Sequence, residues 1–169
     1  MKRIFFASVF LLTALSINSF SQPAKPEFVS AAMNGEKVDT RALRGKVVVL
    51  NLWFINCPNC LAEIKMLNAL VDEYKADSDV VFLAPAASSK NELAKFLAKN
   101  PFKYQVIPDA ANIILGQFGT PDKDGEISIP FPMHVVLDRE GNVAVKAPGM
   151  KGIEAVRSEL KKQSGIRTN

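Results

Sequence analysis

The sequence has few of the residues that bind metals: its 169 residues include only two cysteines and one histidine. A structural zinc site normally takes four ligands, so these three residues cannot complete one by themselves. Charge is also limited, since 21 basic and 17 acidic residues leave a net charge of +4. No basic stripe with interleaved aromatic residues is present, and nucleic-acid binding is therefore not expected.

The first 21 residues have the pattern of a secretory signal. Lys2 and Arg3 precede an uncharged run from residue 4 to residue 15, and Ser19-Phe20-Ser21 then places small residues where a signal peptidase needs them. The run is shorter than the about 20 apolar residues that a membrane-spanning helix needs. We predict that residues 1–21 are cleaved and that the protein is exported, with the periplasm as the expected compartment. An uncleaved membrane anchor is the alternative.

After the signal, the chain alternates apolar runs with amphipathic stretches. We predict a linker at 22–27, one domain at 28–164 and a flexible tail at 165–169, with a short hairpin turning at Asn34-Gly35. The predicted strands are 46–54, 80–85, 104–107, 133–137 and 142–146, and the predicted helices are 58–74, 91–99, 110–118 and 153–162. Residues 120–130 are expected to form a loop. This order is typical of an α/β domain, in which a central mixed sheet carries helices on both faces.

Both cysteines lie within one four-residue stretch, Cys57-Pro58-Asn59-Cys60, between a predicted buried strand and a predicted helix. Proline suits the first turn of a helix, so Cys57 lies at the positive end of the helix dipole, which stabilises a thiolate. Cys60 follows about one turn later on the same face. The pattern predicts a dithiol that exchanges with disulfides, in which Cys57 is exposed and attacks while Cys60 is shielded.

Two other interpretations of the cysteines remain open. One is a purely structural disulfide, although so short a closed loop gives little stabilisation. The other is a pair of unrelated buried thiols, which an oxidising compartment would tend to bridge.

Glu63 lies three residues after Cys60, on a helical stripe that continues through the apolar residues Leu67 and Leu70. Desolvation disfavours the charged form of a carboxyl group. An acid in this position could pass protons to and from Cys60 during exchange. The alternative is a solvated glutamate at the edge of the stripe.

Three segments carry a resemblance to a known family: VVLNLWFINCPNCLAEI, YQVIPDAANIILGQFG and FPMHVVLDREGNV. Over about residues 26–162 the chain resembles the thioredoxin-like superfamily, and more narrowly its exported TlpA/ResA-type thiol-disulfide oxidoreductases. The resemblance implies a thioredoxin-like fold with an N-terminal hairpin extension. It also implies a redox-active Cys57–Cys60 disulfide, with no further cofactor and no metal.

Carried over residue by residue, the resemblance implies that Cys57 is the attacking thiol, Cys60 the resolving thiol and Glu63 the acid. Pro132 matches the cis-proline that faces the disulfide, and Phe131 precedes it. Phe131, Pro132 and Trp53 are then the expected substrate contacts. For Trp53, plain filling of the core is an equal alternative.

The chain departs from the family pattern at several positions. Asn51 replaces the buried aspartate of thioredoxins and cannot titrate, which makes Glu63 the expected acid. Asn56 replaces a tryptophan that often precedes the first cysteine. Proline directly after Cys57 recurs in the strongly oxidising DsbA-type proteins, so the redox direction is open. Residues 121–129 look like extra length beside the site, where they could shape the choice of partner.

A further departure follows the predicted cis-proline, where Met133-His134 replaces the usual Thr-Thr. Side chains alternate along a strand, so these two residues point to opposite faces and one of them should point under the CxxC helix. His134 there could donate to Glu63 or lie near Cys60. The alternative is a core or edge histidine with a backbone partner.

The sequence thus predicts a monomeric, exported enzyme that reduces or exchanges disulfides in client proteins, for instance during cytochrome c maturation. A membrane thiol reductase is the expected electron donor. The alternative is a Sco-type copper chaperone that uses Cys57, Cys60 and His134, since thiolates and imidazole suit copper. Sco-type cysteine spacing is longer by one residue. A peroxiredoxin-type peroxidase is a third possibility, but the Thr and Cys of its Pro-led loop are absent around Cys57.

Overall fold

The computed structural model describes residues 25–165. The predicted signal segment 1–21 lies outside the described residues, as do residues 166–169 of the predicted tail. In chain order the strands are β1 (Val29–Ala31), β2 (Lys37–Asp39), β3 (Val47–Leu52), β4 (Val80–Pro85), β5 (Gln105–Ile107), β6 (Thr120–Pro121), β7 (Ile127–Ser128), β8 (Met133–Leu137) and β9 (Val143–Pro148). The helices are α1 (Pro58–Tyr74), α2 (Lys90–Leu97), α3 (Ala111–Phe118) and α4 (Gly149–Gly165), and a 3₁₀ turn covers Thr40–Leu43.

The main sheet has the strand order β5-β4-β3-β8-β9. β3 runs parallel to β4, and β4 runs parallel to β5, whereas β8 is antiparallel to both β3 and β9. The sheet is therefore mixed, as the sequence predicts. The hairpin of β1 and β2 adds an N-terminal extension, and the Met33 N–H donates to the Val106 carbonyl at 2.8 Å, which covers the β5 edge.

Helices lie on both faces of the main sheet, because side chains alternate along each central strand. On one face, Val48 and Leu50 of β3 pack in a cluster with Ile114 of α3 and with residues of the N-terminal extension. On the other face, Val49 of β3 packs with Leu70 of α1 and with Val156 and Leu160 of α4. The face that carries α1 also carries the two cysteines.

The predicted loop at 120–130 contains a short hairpin, in which β6 pairs with β7. The Asp122 side chain accepts hydrogen bonds from the N–H groups of Asp124 and Glu126, and Gly125 has a φ of 83°. These local hydrogen bonds close the turn. The segment has no apolar run, and an apolar run is the pattern from which a strand is predicted. The last helix begins at Gly149, four residues before its predicted start, directly after β9. No helix in the described part of the chain is long and apolar enough to cross a membrane.

Candidate active site

Cys57 and Cys60 form a disulfide at the start of α1, and their Cα atoms are 5.2 Å apart. Cys57 is the residue that caps the helix, Pro58 occupies its first turn, and the Cys60 N–H donates to the Cys57 sulfur at 3.2 Å. A sulfur in this position receives both an N–H dipole and the positive end of the helix dipole. Once the disulfide is reduced, this arrangement favours a thiolate at Cys57.

Both cysteines are nearly buried in this disulfide-bonded form, with 4% of Cys57 and 2% of Cys60 exposed. The prediction that Cys57 is the exposed thiol is therefore wrong for this form. The physical reason is apolar packing, since both cysteines belong to a cluster with Trp53 and the half-buried Phe131 lies against it. The two cysteines differ in their position on the helix rather than in their exposure.

The segment before Cys57 is tied to the end of β4. The Trp53 N–H donates to the Pro85 carbonyl at 3.2 Å, and the Trp53 carbonyl accepts from the Ala87 N–H at 2.9 Å. Two residues later, the Ile55 N–H donates to the Ser88 hydroxyl at 2.9 Å. These bonds fix the path of the chain from β3 into α1 and so fix the position of Cys57.

Trp53 itself is completely buried. Its ring stacks on Phe102 with 4.7 Å between centroids and lies tilted against Phe96 at 5.6 Å. A side chain without exposed surface cannot contact a substrate in this state, so the prediction of a substrate contact at Trp53 is corrected. Trp53 fills the core under the disulfide, which is the other interpretation that the sequence left open.

The Phe131–Pro132 peptide bond is cis. β3 and β8 pair as far as Leu52 and Met133, so Pro132 lies just beyond the end of the paired strands, at the level from which the chain continues toward Cys57. Phe131 makes an edge-on contact with Phe54 at 5.2 Å between centroids and packs against the cluster that holds both cysteines. The fold therefore brings Phe131 against the cluster that contains the disulfide, and its role as a substrate contact stays a prediction.

Glu63 points into the protein, with 2% of the residue exposed, and its Oε2 lies 2.9 Å from Nε2 of the fully buried His134. This confirms the inward orientation expected from the helical stripe and excludes a solvated glutamate. His134 and not Met133 points under α1, because Met133 belongs to the cluster on the opposite face of the sheet. The partner of His134 is thus a side chain and not the backbone group of the alternative interpretation.

A second buried polar contact lies on the same face. Asn51 pairs with His134 across β3 and β8, so the two side chains are neighbours. The Asn51 amide nitrogen donates to the Tyr104 hydroxyl at 3.2 Å. Burial is the main reason that the pKa of Tyr104 is raised well above its usual range; the Asn51 hydrogen bond opposes this rise, and the charge of Glu63 adds to it. The hydrogen bond between Tyr104 and Asn51 was not predicted from sequence, because it depends on how distant strands pair in the sheet.

A cleft of about 260 Å³ borders Glu63, between the first turns of α1 and the start of α4. Its lining residues are Asn59, Ala62, Glu63, Gly149 and Met150. A Cβ atom on Gly149 would lie 3.9 Å from Oε1 of Glu63, so Oε1 faces this cleft. The buried carboxyl therefore has one oxygen on His134 and the other toward the cleft.

No group of three or more Cys, His, Asp or Glu residues within 25–165 is arranged to hold a metal ion. Two of the three residues that the copper-chaperone alternative needs, Cys57 and Cys60, are bonded to each other. The third, His134, has its Nε2 on Glu63.

The protein combines a mixed sheet with a CxxC disulfide at the start of its first long helix. This combination is characteristic of thioredoxin-like proteins. Residues 21–146 match the AhpC/TSA family, and the chain belongs to that family. It is also similar to the thiol-disulfide oxidoreductase ResA of Bacillus thuringiensis, with 27% identity over 137 residues, which cover 81% of this chain and 75% of that protein. These relationships support an oxidoreductase of the thiol-disulfide type.

Solved structures show the same fold. A thiol:disulfide interchange protein of the thioredoxin family from Chlorobium tepidum superposes with a TM-score of 0.67 at 20% identity, over 82% of this chain and 93% of that one. A secreted Mycobacterium tuberculosis disulfide oxidoreductase homologous to E. coli DsbE superposes with a TM-score of 0.61 at 22% identity, over 79% and 97% of the two chains. At these identities the likeness concerns the fold alone.

Proposed function

We propose that this protein is an exported thiol-disulfide oxidoreductase that exchanges its Cys57–Cys60 pair with disulfides or thiols of client proteins. The observation that carries the proposal is the position of Cys57, whose sulfur caps α1 and accepts the Cys60 N–H at 3.2 Å. This geometry stabilises negative charge on one sulfur of the pair, and the thiolate is the form that attacks a disulfide.

In the reducing direction, the Cys57 thiolate attacks one sulfur of a client disulfide. A mixed disulfide forms, the client S–S bond breaks, and the other client sulfur leaves as a thiolate that takes a proton. Cys60 then loses its proton, its thiolate attacks the Cys57 sulfur, and the second client sulfur leaves and is protonated. The protein dithiol is oxidised to the disulfide while the client disulfide is reduced to two thiols. The oxidising direction runs the same steps backwards.

Glu63 is proposed as the group that takes the proton from Cys60. It is buried and lies one helical turn after Cys60, where side chains three residues apart are neighbours. Asn51, at the place of the thioredoxin aspartate, cannot perform this role because an amide does not titrate in water. Positioned proton transfer of this kind is typically worth about 10²–10⁴-fold in rate.

Clients are proposed to bind on the exposed, uncharged residues that flank Cys57 and Cys60 in the chain. Asn56, Pro58 and Asn59 are exposed there, and half-buried Phe131 adds apolar surface beside Pro132. Such a surface accepts extended or partly unfolded segments without demanding one charge pattern. Export, with the periplasm as the compartment, is proposed from the signal pattern of residues 1–21. A membrane thiol reductase as electron donor and a role in cytochrome c maturation belong to the same proposal.

The test is a trapping experiment with the mature protein and a disulfide-bonded model client. Cys60→Ser should accumulate a mixed disulfide through Cys57, because the step that resolves it is removed. Cys57→Ser is the matched control and should trap none. Trapping by the control variant only would reverse the roles of the two cysteines, and absence of client reduction by the wild type would overturn the proposal. Peroxide turnover, or tight Cu(I) binding lost in His134→Ala, would instead support one of the other two functions.

A further inference from the structure

We propose that His134 is a positioning residue for the exchange reaction: it holds one oxygen of the Glu63 carboxyl, so that the other oxygen takes and returns the Cys60 proton. This inference rests on the proposed thiol-disulfide exchange. His134 itself touches neither client nor sulfur in this proposal and acts only through Glu63.

The two residues come from separate parts of the fold, and the sheet brings them together. Glu63 is on the inner face of α1, and His134 is the second residue of β8, which lies next to β3 in the main sheet. Their contact at 2.9 Å is buried from both sides. A hydrogen bond in such surroundings is electrostatically stronger than one in water, so the carboxyl has a fixed orientation.

The orientation separates the roles of the two carboxyl oxygens. Oε2 is bound to Nε2 of His134, whereas Oε1 faces the cleft beside Gly149. When Glu63 is ionised, the Nε2–H of His134 donates to Oε2. In this proposal, the proton that leaves the Cys60 sulfur is accepted on Oε1, directly or through one water in the cleft, without breaking this bond, and it returns to the same oxygen in the reverse step. Atoms and charge balance within the Cys60–Glu63 exchange, and no further reactant is needed.

Gly152 shows that the histidine ring is itself held in place. A Cβ atom on Gly152 of α4 would lie 2.6 Å from Cδ2 of His134 and 2.4 Å from the Ala147 carbonyl oxygen. Real Cβ atoms essentially never approach so closely, so only glycine allows α4 to pack against the ring. The ring therefore lies between the backbone of α4 and the carboxyl of Glu63. A glycine inside a helix is costly and often marks such a close contact.

Few other titratable groups face the pair. Tyr104, which precedes β5, interacts electrostatically with Glu63, and Cys57 and Cys60 lie at the start of α1. The buried residues of α4 are all apolar, namely Gly152, Ile153, Val156 and Leu160, and the β9 residue opposite His134 is Ala147. Nδ1 of His134 has no hydrogen-bond partner among residues 25–165.

The experiment is a double-mutant cycle on the exchange step, with the rate of client disulfide reduction measured across the neutral pH range. His134→Gln keeps a donor for Glu63 but cannot titrate, and His134→Phe removes the donor. We expect the His134→Phe variant to reduce the client about tenfold more slowly than the wild type and to have a different pH–rate profile. This loss is part of the rate gain of about 10²–10⁴-fold that positioned proton transfer typically gives. His134→Gln should restore most of the rate. In a Glu63→Gln background, His134→Phe should change the rate by less than about twofold, because interacting residues are not additive.

Equal effects of His134→Phe in both backgrounds would overturn the proposal and make His134 a packing residue. The proposed function fails differently, since the wild type itself would then not reduce the client. A second measurement covers the case in which His134→Phe does not fold. The chain has a single histidine, so its imidazole NMR signals are unambiguous. Their pH response should differ between the wild type and Glu63→Gln, and identical responses would also overturn the proposal.

Discussion

Tyr104 is one of two tyrosines in the chain, and its hydroxyl is the acceptor for the buried Asn51 amide. Its pKa is raised, chiefly by burial, so the unfolded chain loses the phenolic proton first as the pH rises. The free energy of unfolding should therefore fall as the pH rises above about 10, the ordinary value for tyrosine. In Tyr104→Phe the free energy of unfolding should fall less over this pH range. Chemical denaturation at neutral and alkaline pH measures the difference.

Tyr74→Phe is the control for this prediction. The pKa of Tyr74 is also raised by burial, but the residue is only half-buried at the end of α1. Its replacement should change this fall in the free energy of unfolding less than the replacement of Tyr104 does. At neutral pH, Tyr104→Phe should cost about 1 kcal/mol, because Asn51 loses its hydrogen-bond acceptor. If the unfolding free energy of Tyr104→Phe fell at alkaline pH as much as that of the wild type, the pH dependence could not be assigned to Tyr104.

At the residue scale, helical spacing was enough to place Glu63 on the inner face of α1. Strand alternation was enough to place Met133 and His134 on opposite faces, but not to decide which one points under the helix. That choice depends on the register of β8 against β3, in which Asn51 faces His134. Register between strands distant in sequence is a tertiary property, so the Glu63–His134 contact could be offered only as one of several alternatives.

At the element scale, α2 begins with a capping box that the sequence pattern Ser-x-x-Glu encodes. The Ser89 hydroxyl accepts from the Glu92 N–H at 3.4 Å, and the Glu92 carboxylate accepts from the Ser89 N–H at 3.1 Å. Ser89→Ala should lower the free energy of unfolding by about 0.5–2 kcal/mol at neutral pH. Thermal or chemical denaturation measures this. Ser158→Ala, at an exposed position in α4, is the control and should have little effect or a slightly stabilising one.

The same box gives a pH dependence. The hydrogen bonds from Ser89 lower the pKa of Glu92 below its ordinary value. A carboxyl with a lowered folded-state pKa stabilises the fold above its ordinary pKa, and this contribution is lost as the pH falls through the folded value. The difference in stability between the wild type and Ser89→Ala should therefore shrink in acid. A constant difference from neutral to acidic pH would contradict this role for Glu92.

Two glycines that both have free space for a side chain should differ in how their replacement by alanine changes the free energy of unfolding. A Cβ atom would meet nothing within 4 Å at Gly116, inside α3, or at Gly125, in the β6–β7 turn. Gly125 has a φ of 83°, which an L-residue adopts only with strain. Gly116→Ala should raise the free energy of unfolding by about 0.5–1 kcal/mol, whereas Gly125→Ala should lower it. Equal effects of the two changes would refute the argument.

Element prediction succeeded where a long periodic run was present and failed where the structure depends on local polar bonds. The α1 segment carries a proline at its start and an apolar stripe through Leu70, and its bounds match the prediction. The β6–β7 hairpin is closed by the Asp122 side chain and contributes two residues to each strand. So short a ladder has no apolar periodicity of its own, and the sequence therefore indicates a loop.

At the scale of the whole molecule, three apolar clusters among residues 25–165 pack on the main sheet, and Leu70 connects α1 to the cluster shared with α4. Leu70→Ala should lower the free energy of unfolding by about 2–5 kcal/mol, because it leaves a cavity under the helix that carries both cysteines. Leu61→Ala on the exposed side of the same helix is the control and should stay within about 0.5 kcal/mol. Denaturant midpoints of the two variants test this, and similar losses would contradict the packing described.

The overall arrangement was predictable because buried parallel strands are nearly continuous apolar runs and alternate with helices along the chain. β3 and β4 are of this kind, and their order in the sheet follows from a right-handed crossover through α1. The edge strand β9 was harder to bound, since it is mostly exposed and carries Lys146 near its end. The start of α4 directly after it depends on contacts with the segment that leads into β8, such as the bond from the Gly149 N–H to the Pro132 carbonyl.

The close approach of Gly152 to His134 has an evolutionary consequence. A mutation that adds a side chain at position 152 collides with the imidazole and also with the Ala147 carbonyl oxygen, so a smaller residue at position 134 would relieve only one of the two collisions. Relatives that share this backbone should therefore keep glycine at the position of Gly152 even where the histidine has been replaced. The histidine position is thus free to vary without the glycine, whereas the glycine position is constrained by the neighbouring strand in every such lineage.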